Sequence, residues 1–240
     1  MKIIIITQKE PFFIPIVLNS IMKNYKNYLE SIVFLKPNEY KHKFNSFFYY
    51  LRFWGSWQLL KFGLKYLEIK FKRKLNLNGI EIFENINVNS KDFIEKAKEV
   101  DYVISIAANQ IFKEKLLKAP KEMCLNIHAS LLPKTKGYNP SFWNLYNNET
   151  FTGITLHKII KELDSGPIII QKKLRIRPNE TWYSLQKRIT SKASEILVDT
   201  LPKLAEKNLN LKDPEGISSL FRRPKVKDGI EFRRRGNRFI

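Results

Sequence analysis

Hydrophobic and polar positions along this chain alternate in blocks that predict strands and helices in turn. The β-branched run at residues 3–6 predicts a buried first strand, residues 11–24 a helix, and residues 31–35 a second strand. This order is typical of the opening of a βαβ unit. The first strand is too short for a signal peptide or a membrane span, because only five apolar residues precede Thr7.

The alternation continues through the middle of the chain. GIEIF predicts a strand, NSKDFIEKAKEV a helix capped by Asn89 or Ser90, and DYVISIA a strand buried on both faces. A helix is predicted over residues 110–118, and the strand CLNIHA follows. Strands alternating with short helices predict an α/β fold with a Rossmann-like, mostly parallel sheet, whose ligands bind at the carboxyl ends of the strands.

An aromatic segment at residues 44–71 interrupts this alternation. It contains eleven aromatic residues, and a face that is apolar except for Gln58 recurs at approximately helical spacing: Phe47, Leu51, Trp54, Gln58, Leu60, Leu64 and Leu67. We expect a helical insert that packs this face on the domain. The alternative is a basic amphipathic helix that lies on a membrane surface, since Arg52, Lys61 and Lys65 occupy other faces.

The carboxyl-terminal part predicts a helix over residues 179–207, which Pro202 should end or kink, and then a β-hairpin. The hairpin signal is Asp228-Gly229 between short alternating segments. A hairpin of this size needs a partner surface, either the same core or another subunit, and a solvated basic tail is the alternative. We therefore expect a core over residues 1–178 and an extension over 179–240, a candidate for dimerisation.

Composition limits the classes of function. The 240 residues carry a net charge of +20, which favours anionic partners such as nucleotides, phosphorylated metabolites, nucleic acid or an acidic membrane surface. The single cysteine, Cys124, excludes an internal disulfide and a cysteine cluster for zinc, and it fits a reducing cytoplasm. No glycine-rich phosphate loop is present, which argues against nucleoside triphosphate hydrolysis and standard dinucleotide binding.

Candidate chemistry lies in CLNIHASLLPKTKGYNPS. Asn126 and His128 are two residues apart in a predicted strand, so their side chains share one face. A histidine exchanges protons near neutral pH, and an amide donates hydrogen bonds to an oxygen that gains negative charge. Asp164, in the predicted turn KELDSG, could orient the imidazole. A purely structural Asn–His pair is the alternative.

These residues also carry a family resemblance. LNIHASLLPKTKGYNP, followed by TGITLHKIIKELDSGPII, resembles the core of the formyltransferases that use 10-formyltetrahydrofolate, a family with glycinamide ribonucleotide, methionyl-tRNA and sugar-nucleotide members. The resemblance implies that Asn126, His128 and Asp164 are the catalytic residues, with no metal. It also implies that the folate co-substrate binds at Ala108, Asn109, Gln110, Ile111, Leu131 and Asp164, although an ordinary strand-to-helix turn would also explain the segment from Ala108 to Ile111.

The amine that accepts the formyl group is the open question. Only 33 residues follow Lys207, fewer than the β-barrel of the methionyl-tRNA enzymes requires, and neither the insert nor the tail resembles the compact glycinamide ribonucleotide enzymes. The resemblance fits the sugar-nucleotide class best. Its best-guess acceptor is dTDP-4-amino-4,6-dideoxyglucose, for O-antigen or other surface polysaccharide biosynthesis.

That class often forms homodimers, and it needs groups that hold a pyrophosphate, a base and a sugar. We expect substrate contacts from Lys134, Tyr138, Asn139, Trp143 and Trp182. The alternative for Trp143 is a plain core residue. A non-catalytic alternative for the whole chain is a basic nucleic-acid-binding module, although we expect no stable nucleic-acid partner.

Overall fold

A computed structural model describes residues 1–36, 43–72 and 75–240, and for residues 43–46 and 72 it describes the backbone alone. The strands are β1 (Ile3–Gln8), β2 (Leu29–Leu35), β3 (Glu81–Glu84), β4 (Tyr102–Ile106), β5 (Met123–His128), β6 (Lys136–Gly137), β7 (Phe151–Lys158), β8 (Ile168–Arg175) and β9 (Leu220–Phe221). The helices are α1 (Ile14–Tyr25), α2 (Lys43–Trp54), α3 (Ser56–Lys72), α4 (Lys91–Lys98), α5 (Glu114–Leu117), α6 (Pro140–Tyr146), α7 (Trp182–Ala205) and α8 (Val226–Arg234).

Seven strands form one sheet in the order β3-β2-β1-β4-β5-β7-β8. The first five are parallel, whereas β7 runs antiparallel to both β5 and β8. The short strands β6 and β9 form a separate parallel pair. The prediction of an α/β fold with a mostly parallel sheet is confirmed.

The sheet separates two hydrophobic clusters. Because successive side chains of a strand point to opposite faces, Ile3 and Ile5 pack with α1 and α7, and Ile4 and Ile6 pack with α4 and α5. Burial on both faces explains why β1 and β4 are continuous apolar runs rather than alternating ones. The boundary between residues 178 and 179 stays a prediction, and α7 shares one hydrophobic cluster with β1 and α1.

Helix α4 begins where the sequence indicates, and α5 is shorter than predicted. The Ser90 hydroxyl accepts a hydrogen bond from the Phe93 N–H and caps α4. Only Glu114–Leu117 is helical in the predicted span 110–118. The Lys113 N–H donates to Asn89 Oδ1 at 2.8 Å, and the Gln110 side chain bonds the backbone at residues 86 and 88, which holds this segment in a loop.

The predicted carboxyl-terminal hairpin is wrong, because residues 226–234 form helix α8. Asp228 accepts a hydrogen bond from the Lys225 N–H at 2.6 Å, as an acidic residue in the first turn of a helix does. Gly229 lets α8 approach α2 closely: a Cβ on this residue would lie 2.5 Å from the Phe53 ring. The Asp-Gly pair thus serves a helix start and a close contact rather than a turn.

The aromatic insert forms two helices, α2 and α3, on either side of Gly55, whose φ of +86° ends the first helix. This segment lies in the crossover between the parallel strands β2 and β3. The insert is helical as predicted, and Trp54 and Gln58 of the predicted face contact Phe62 and Phe239. The predicted packing of Phe47, Leu60, Leu64 and Leu67 is wrong, because these four residues are exposed. The break at Gly55 shifts the helical phase, and the buried side chains are Phe53, Phe62 and Ile69.

Candidate active site

Strand β5 carries the central pair of polar side chains. Asn126 and His128 alternate with the buried residues Leu125 and Ile127, so both lie on one face near the carboxyl end of the strand. His128 is buried, with 7% of its surface exposed. Both residues therefore lie near the end of a strand and on one face, as the sequence predicts.

Asp164 joins them from the connection between β7 and β8. Its Oδ2 lies 3.7 Å from His128 Nδ1, and its Oδ1 lies 3.4 Å from Asn126 Nδ2. The backbone is left-handed there, with φ of +49°, a conformation that aspartate tolerates better than most residues. Gly166 follows, and a Cβ at that position would lie 2.0 Å from the Lys158 carbonyl oxygen. The structure thus brings together Asn126, His128 and Asp164.

The backbone of Gly137 binds the same Asp164 oxygen that faces His128. Its backbone N–H donates to Asp164 Oδ2 at 2.8 Å. Gly137 has φ of +90°, and a Cβ would lie 2.3 Å from the Phe221 carbonyl oxygen, so only glycine fits this approach of β6 to β9. The sequence analysis did not single out Gly137, since its role depends on the pairing of two short strands distant in sequence.

His157 is a further member of the cluster that the sequence analysis missed. It pairs with Asn126 across β5 and β7, and its Nε2 lies 3.2 Å from Asn126 Nδ2 and 3.7 Å from Asp164 Oδ1. Directly opposite residues of antiparallel strands share a face, which would have indicated His157 had the pairing been known.

Hydrogen bonds assign the tautomer of His157. Its Nδ1 lies 2.9 Å from the Lys158 carbonyl oxygen, which can only accept, so Nδ1 carries the proton. Nε2 is then an acceptor for the Asn126 amide. Burial lowers the pKa of His157 to about 4, and the nearby His128 acts in the same direction, so the ring is neutral at neutral pH. Both hydrogens of Asn126 Nδ2 therefore face protein acceptors.

His128 is held at its other nitrogen by the turn that follows β5. Its Nε2 lies 2.9 Å from the Thr135 carbonyl oxygen, which also accepts from the Ser130 hydroxyl at 2.6 Å. A carbonyl requires a donor, so Nε2 carries a proton. His128 Nδ1, the nitrogen that faces Asp164, is therefore the one able to gain and lose a proton.

Four of the residues predicted to bind folate, Ala108, Asn109, Gln110 and Ile111, lie in the loop after β4, whereas Leu131 follows β5 and Asp164 lies between β7 and β8. The Gln110 amide accepts from the Val88 N–H and donates to the Ile86 carbonyl, so this side chain organises the loop. Ile111 is exposed, and Leu131 packs over Gly153 of β7, where a Cβ would lie 2.4 Å from Leu131 Cδ2. Ala108 packs at the margin of the α4–α5 hydrophobic cluster.

Asn109 is the residue of this loop with unused hydrogen-bonding capacity. Its Nδ2 donates to the Lys36 carbonyl at 2.8 Å, whereas its buried Oδ1 accepts from none of the described residues. A buried amide oxygen without a donor is uncommon and fits a ligand that carries N–H groups. Within the described ranges, no group of three or more His, Cys, Asp or Glu residues is placed to hold a metal ion.

The predicted substrate residues form two groups, the first with Lys134, Tyr138 and Asn139 in the segment after β5, and the second with the tryptophans Trp143 and Trp182. Tyr138 is exposed beside Gly137, and Asn139 follows it with φ of +50° and accepts from Trp182 Nε1 at 3.0 Å. Lys134 is exposed and forms an ion pair with Glu149. Lys136, which the sequence analysis left out, reaches closer to the site and donates to the Ser165 hydroxyl beside Asp164 at 2.8 Å.

Trp143 belongs to the core, and its assignment to substrate stacking is corrected. Its ring is 7% exposed and stacks on Phe221 with centroids 5.3 Å apart, and its Nε1 donates to the Arg222 carbonyl at 3.0 Å. Trp182 contacts Phe13 and Phe62 as well as Asn139. Its contact with substrate stays a prediction.

A family model and the related sequences both indicate the same protein family. A family model described as Formyl transferase matches residues 72–201. The methionyl-tRNA formyltransferase of Thermotoga maritima is 40% identical over 155 residues, which cover 64% of this chain and 50% of the relative. The bifunctional polymyxin resistance protein ArnA of Wigglesworthia glossinidia brevipalpis is 36% identical over 163 residues, covering 66% of this chain and 25% of that protein.

Solved structures extend the likeness over more of the chain. WlaRD, a sugar 3N-formyl transferase determined with dTDP and 5-N-formyl-THF, has a TM-score of 0.61 and 25% identity and covers 92% of this chain and 69% of its own. A sugar N-formyltransferase from a Shewanella species has a TM-score of 0.64 at 19% identity, which shows the shared fold. This chain spans about half the length of the curated methionyl-tRNA relatives it matches.

Proposed function

Because the chain belongs to the formyl transferase family, we propose that it transfers a formyl group from 10-formyltetrahydrofolate to an amine on a nucleotide-linked amino sugar. The observation that carries the proposal is the cluster of Asn126, His128 and Asp164 at the carboxyl end of β5. It joins a proton carrier, a buried carboxylate and an amide donor, the groups that acyl transfer to an amine requires.

The folate co-substrate supplies the activated formyl group. The loop of Ala108, Asn109, Gln110 and Ile111 fits a pterin ring, because the buried Asn109 Oδ1 accepts no hydrogen bond from the described residues and ring N–H groups can donate one. Leu131, which packs over Gly153 of β7, is the apolar side chain that we assign to the folate ring.

His128 and Asp164 handle the proton. When an amine attacks a formyl carbon it becomes positively charged and must lose a proton, and His128 Nδ1 is the nitrogen free to accept it. The resulting imidazolium then lies beside Asp164 Oδ2, whose negative charge stabilises it. As the bond between the formyl carbon and the folate nitrogen breaks, the imidazolium returns the proton to that nitrogen, which leaves as tetrahydrofolate. The Gly137 N–H holds that carboxylate in place.

Asn126 supplies a hydrogen bond to the oxygen that gains charge. Its Nδ2 makes a 3.2 Å contact with His157 and a longer, 3.4 Å contact with Asp164. The longer contact is the weaker one, so we infer that the substrate oxygen replaces it while His157 keeps the amide oriented.

Two observations support a sugar-nucleotide acceptor. The likeness to WlaRD, whose structure contains dTDP, extends over 92% of this chain. Lys136 lies beside Ser165 next to the carboxylate, and the chain carries a +20 charge that suits a pyrophosphate. We propose dTDP-4-amino-4,6-dideoxyglucose as the first acceptor to test, and a homodimer as the form in solution.

Methionyl-tRNA is the second candidate acceptor. The 40% identity to the Thermotoga maritima enzyme and the basic surface favour it. It predicts tight RNA binding that weakens steeply with salt.

One assay separates the candidates. The purified chain is incubated with 10-formyltetrahydrofolate and dTDP- or UDP-amino sugars, glycinamide ribonucleotide or methionyl-tRNA, and products are identified by mass spectrometry. We expect a single added formyl group on a nucleotide-linked amino sugar and none on the other acceptors. Formylation of methionyl-tRNA alone would replace the sugar-nucleotide proposal, and no product from any acceptor would contradict formyl transfer.

A further inference from the structure

Helix α3 presents two apolar faces on opposite sides. Phe62 and Ile69, seven residues and about two turns apart, point inward and are buried. The other face carries an exposed row that we call the α3 stripe: Trp57, Leu60, Leu64, Leu67 and Phe71. The intervals of three and four residues place these five side chains along one line of the helix.

The exposure of the α3 stripe is large for apolar side chains. Its members are between 49% and 82% exposed, and none packs in either hydrophobic cluster. Single exposed apolar residues are ordinary, but five aligned on one helix form a contiguous apolar surface of the kind that marks an interaction site.

Positive charge borders the stripe on both sides. Lys61 lies along one margin and Lys70 along the other, whereas Lys65 is turned toward the core side, with its Nζ 6.0 Å from the centroid of the Tyr183 ring. Glu68 is the acidic residue of α3, and Lys65 pairs with it at 2.8 Å. Lys61 also lies over the Trp57 ring, 5.7 Å from its centroid. The chain then continues with the sequence Lys-Arg-Lys.

We propose that α3 docks on the surface of an anionic phospholipid bilayer through the α3 stripe. The Trp, Leu and Phe side chains enter the boundary between headgroups and acyl chains, and the lysines at the margins contact anionic headgroups. A second copy of α3 fits less well, because it would bring the same lysines against one another. The proposal is independent of the acceptor that the active site uses.

The mode of contact is peripheral. No helix in the described parts of the chain has the length and apolar character to cross a membrane. An interfacial helix needs only one apolar face with a charged margin, and its opposite face stays free to pack on the protein, as Phe62 and Ile69 do here.

Vesicle co-sedimentation of the full chain tests the proposal. We expect binding to vesicles of phosphatidylglycerol with phosphatidylcholine and much weaker binding to phosphatidylcholine alone. The stripe variant Leu60→Glu/Leu64→Glu should bind anionic vesicles about tenfold or more weakly. Its matched control is Leu211→Glu/Ile217→Glu, which places the same charges on two exposed apolar residues elsewhere and should lose less affinity. Circular dichroism confirms that both variants are folded.

A second pair of variants tests the charged margins. Lys61→Gln/Lys70→Gln should weaken binding to anionic vesicles more than Lys23→Gln/Lys203→Gln, which removes the same charge from other exposed positions. Three results would each overturn the proposal: no binding of the wild-type chain to anionic vesicles, equal losses in stripe and control variants, or light scattering that shows a dimer which the stripe variant alone converts to monomer.

Discussion

Asn126 and His157 face each other across β5 and β7, with 3.2 Å between Asn126 Nδ2 and His157 Nε2. This contact sets the direction of the Asn126 amide, because His157 Nδ1 is committed to the Lys158 carbonyl and leaves Nε2 as an acceptor. The buried, neutral imidazole therefore acts on the site through Asn126 rather than through a proton of its own.

The first prediction follows from that contact. His157→Phe removes the acceptor, so the amide loses its orientation, and we expect kcat for formyl transfer to fall about tenfold with a smaller change in KM. His157→Gln retains an acceptor and should keep more of the activity. Steady-state kinetics of the two variants checks this, and equal rates in both would show that His157 does not orient Asn126.

The same residue predicts a pH dependence of stability. The unfolded chain binds a proton at this histidine below about pH 6.5, whereas the folded chain does so only near pH 4. Stability therefore falls as pH drops through this window, by about 3 kcal/mol from this group. Urea unfolding of the wild type and His157→Gln between pH 7 and pH 4 should show a shallower loss in the variant, and parallel curves would contradict the assignment.

A third prediction concerns the backbone donor to Asp164. Gly137→Ala forces β6 away from the Phe221 carbonyl and moves the N–H that Asp164 accepts, so we expect formyl transfer to fall by at least about tenfold. Gly216→Ala is the control, since it also has positive φ but open space around it. If activity falls equally in the two variants, backbone strain alone rather than the Asp164 contact explains the loss.

Two helical glycines test the packing of the tail on the insert. Gly229→Ala places a methyl group against Phe53 and should destabilise the fold by about 1–3 kcal/mol. Gly63→Ala, in α3 with nothing within 4 Å, should instead stabilise it by up to about 1 kcal/mol. Thermal unfolding measures the change in stability for each variant. An unchanged stability of Gly229→Ala would contradict the close contact of α2 and α8.

The sequence predicts the sheet and the Asn126–His128 pair because their signals are local, whereas the prediction that Asp164 joins the pair rests on the turn KELDSG and the family resemblance. Continuous apolar runs indicate buried strands, and alternation within β5 puts two polar side chains on one face. Local patterns do not predict the places of His157 and Gly137 in the site, since these depend on which strands pair. The hairpin prediction fails for the same reason: Asp-Gly is ambiguous until the contact of Gly229 with Phe53 is known.

The α3 stripe shows a further limit of sequence patterns. Periodicity indicates which residues share a helix face, but α3 has apolar residues on two faces, and periodicity does not say which of them meets the core. The choice depends on the aromatic side chains that surround Phe62, including Trp54 and Tyr183.

Transfer of a labelled formyl group tests the central claim most directly. Carbon-labelled 10-formyltetrahydrofolate and dTDP-4-amino-4,6-dideoxyglucose are incubated with the wild-type chain, His128→Asn or Asp164→Asn, and the labelled amide is followed by NMR. We expect the label on the sugar amine with the wild type and a rate lower by about 100-fold or more with either variant. Wild-type rates in both folded variants, or no labelled amide with the wild type, would contradict the account.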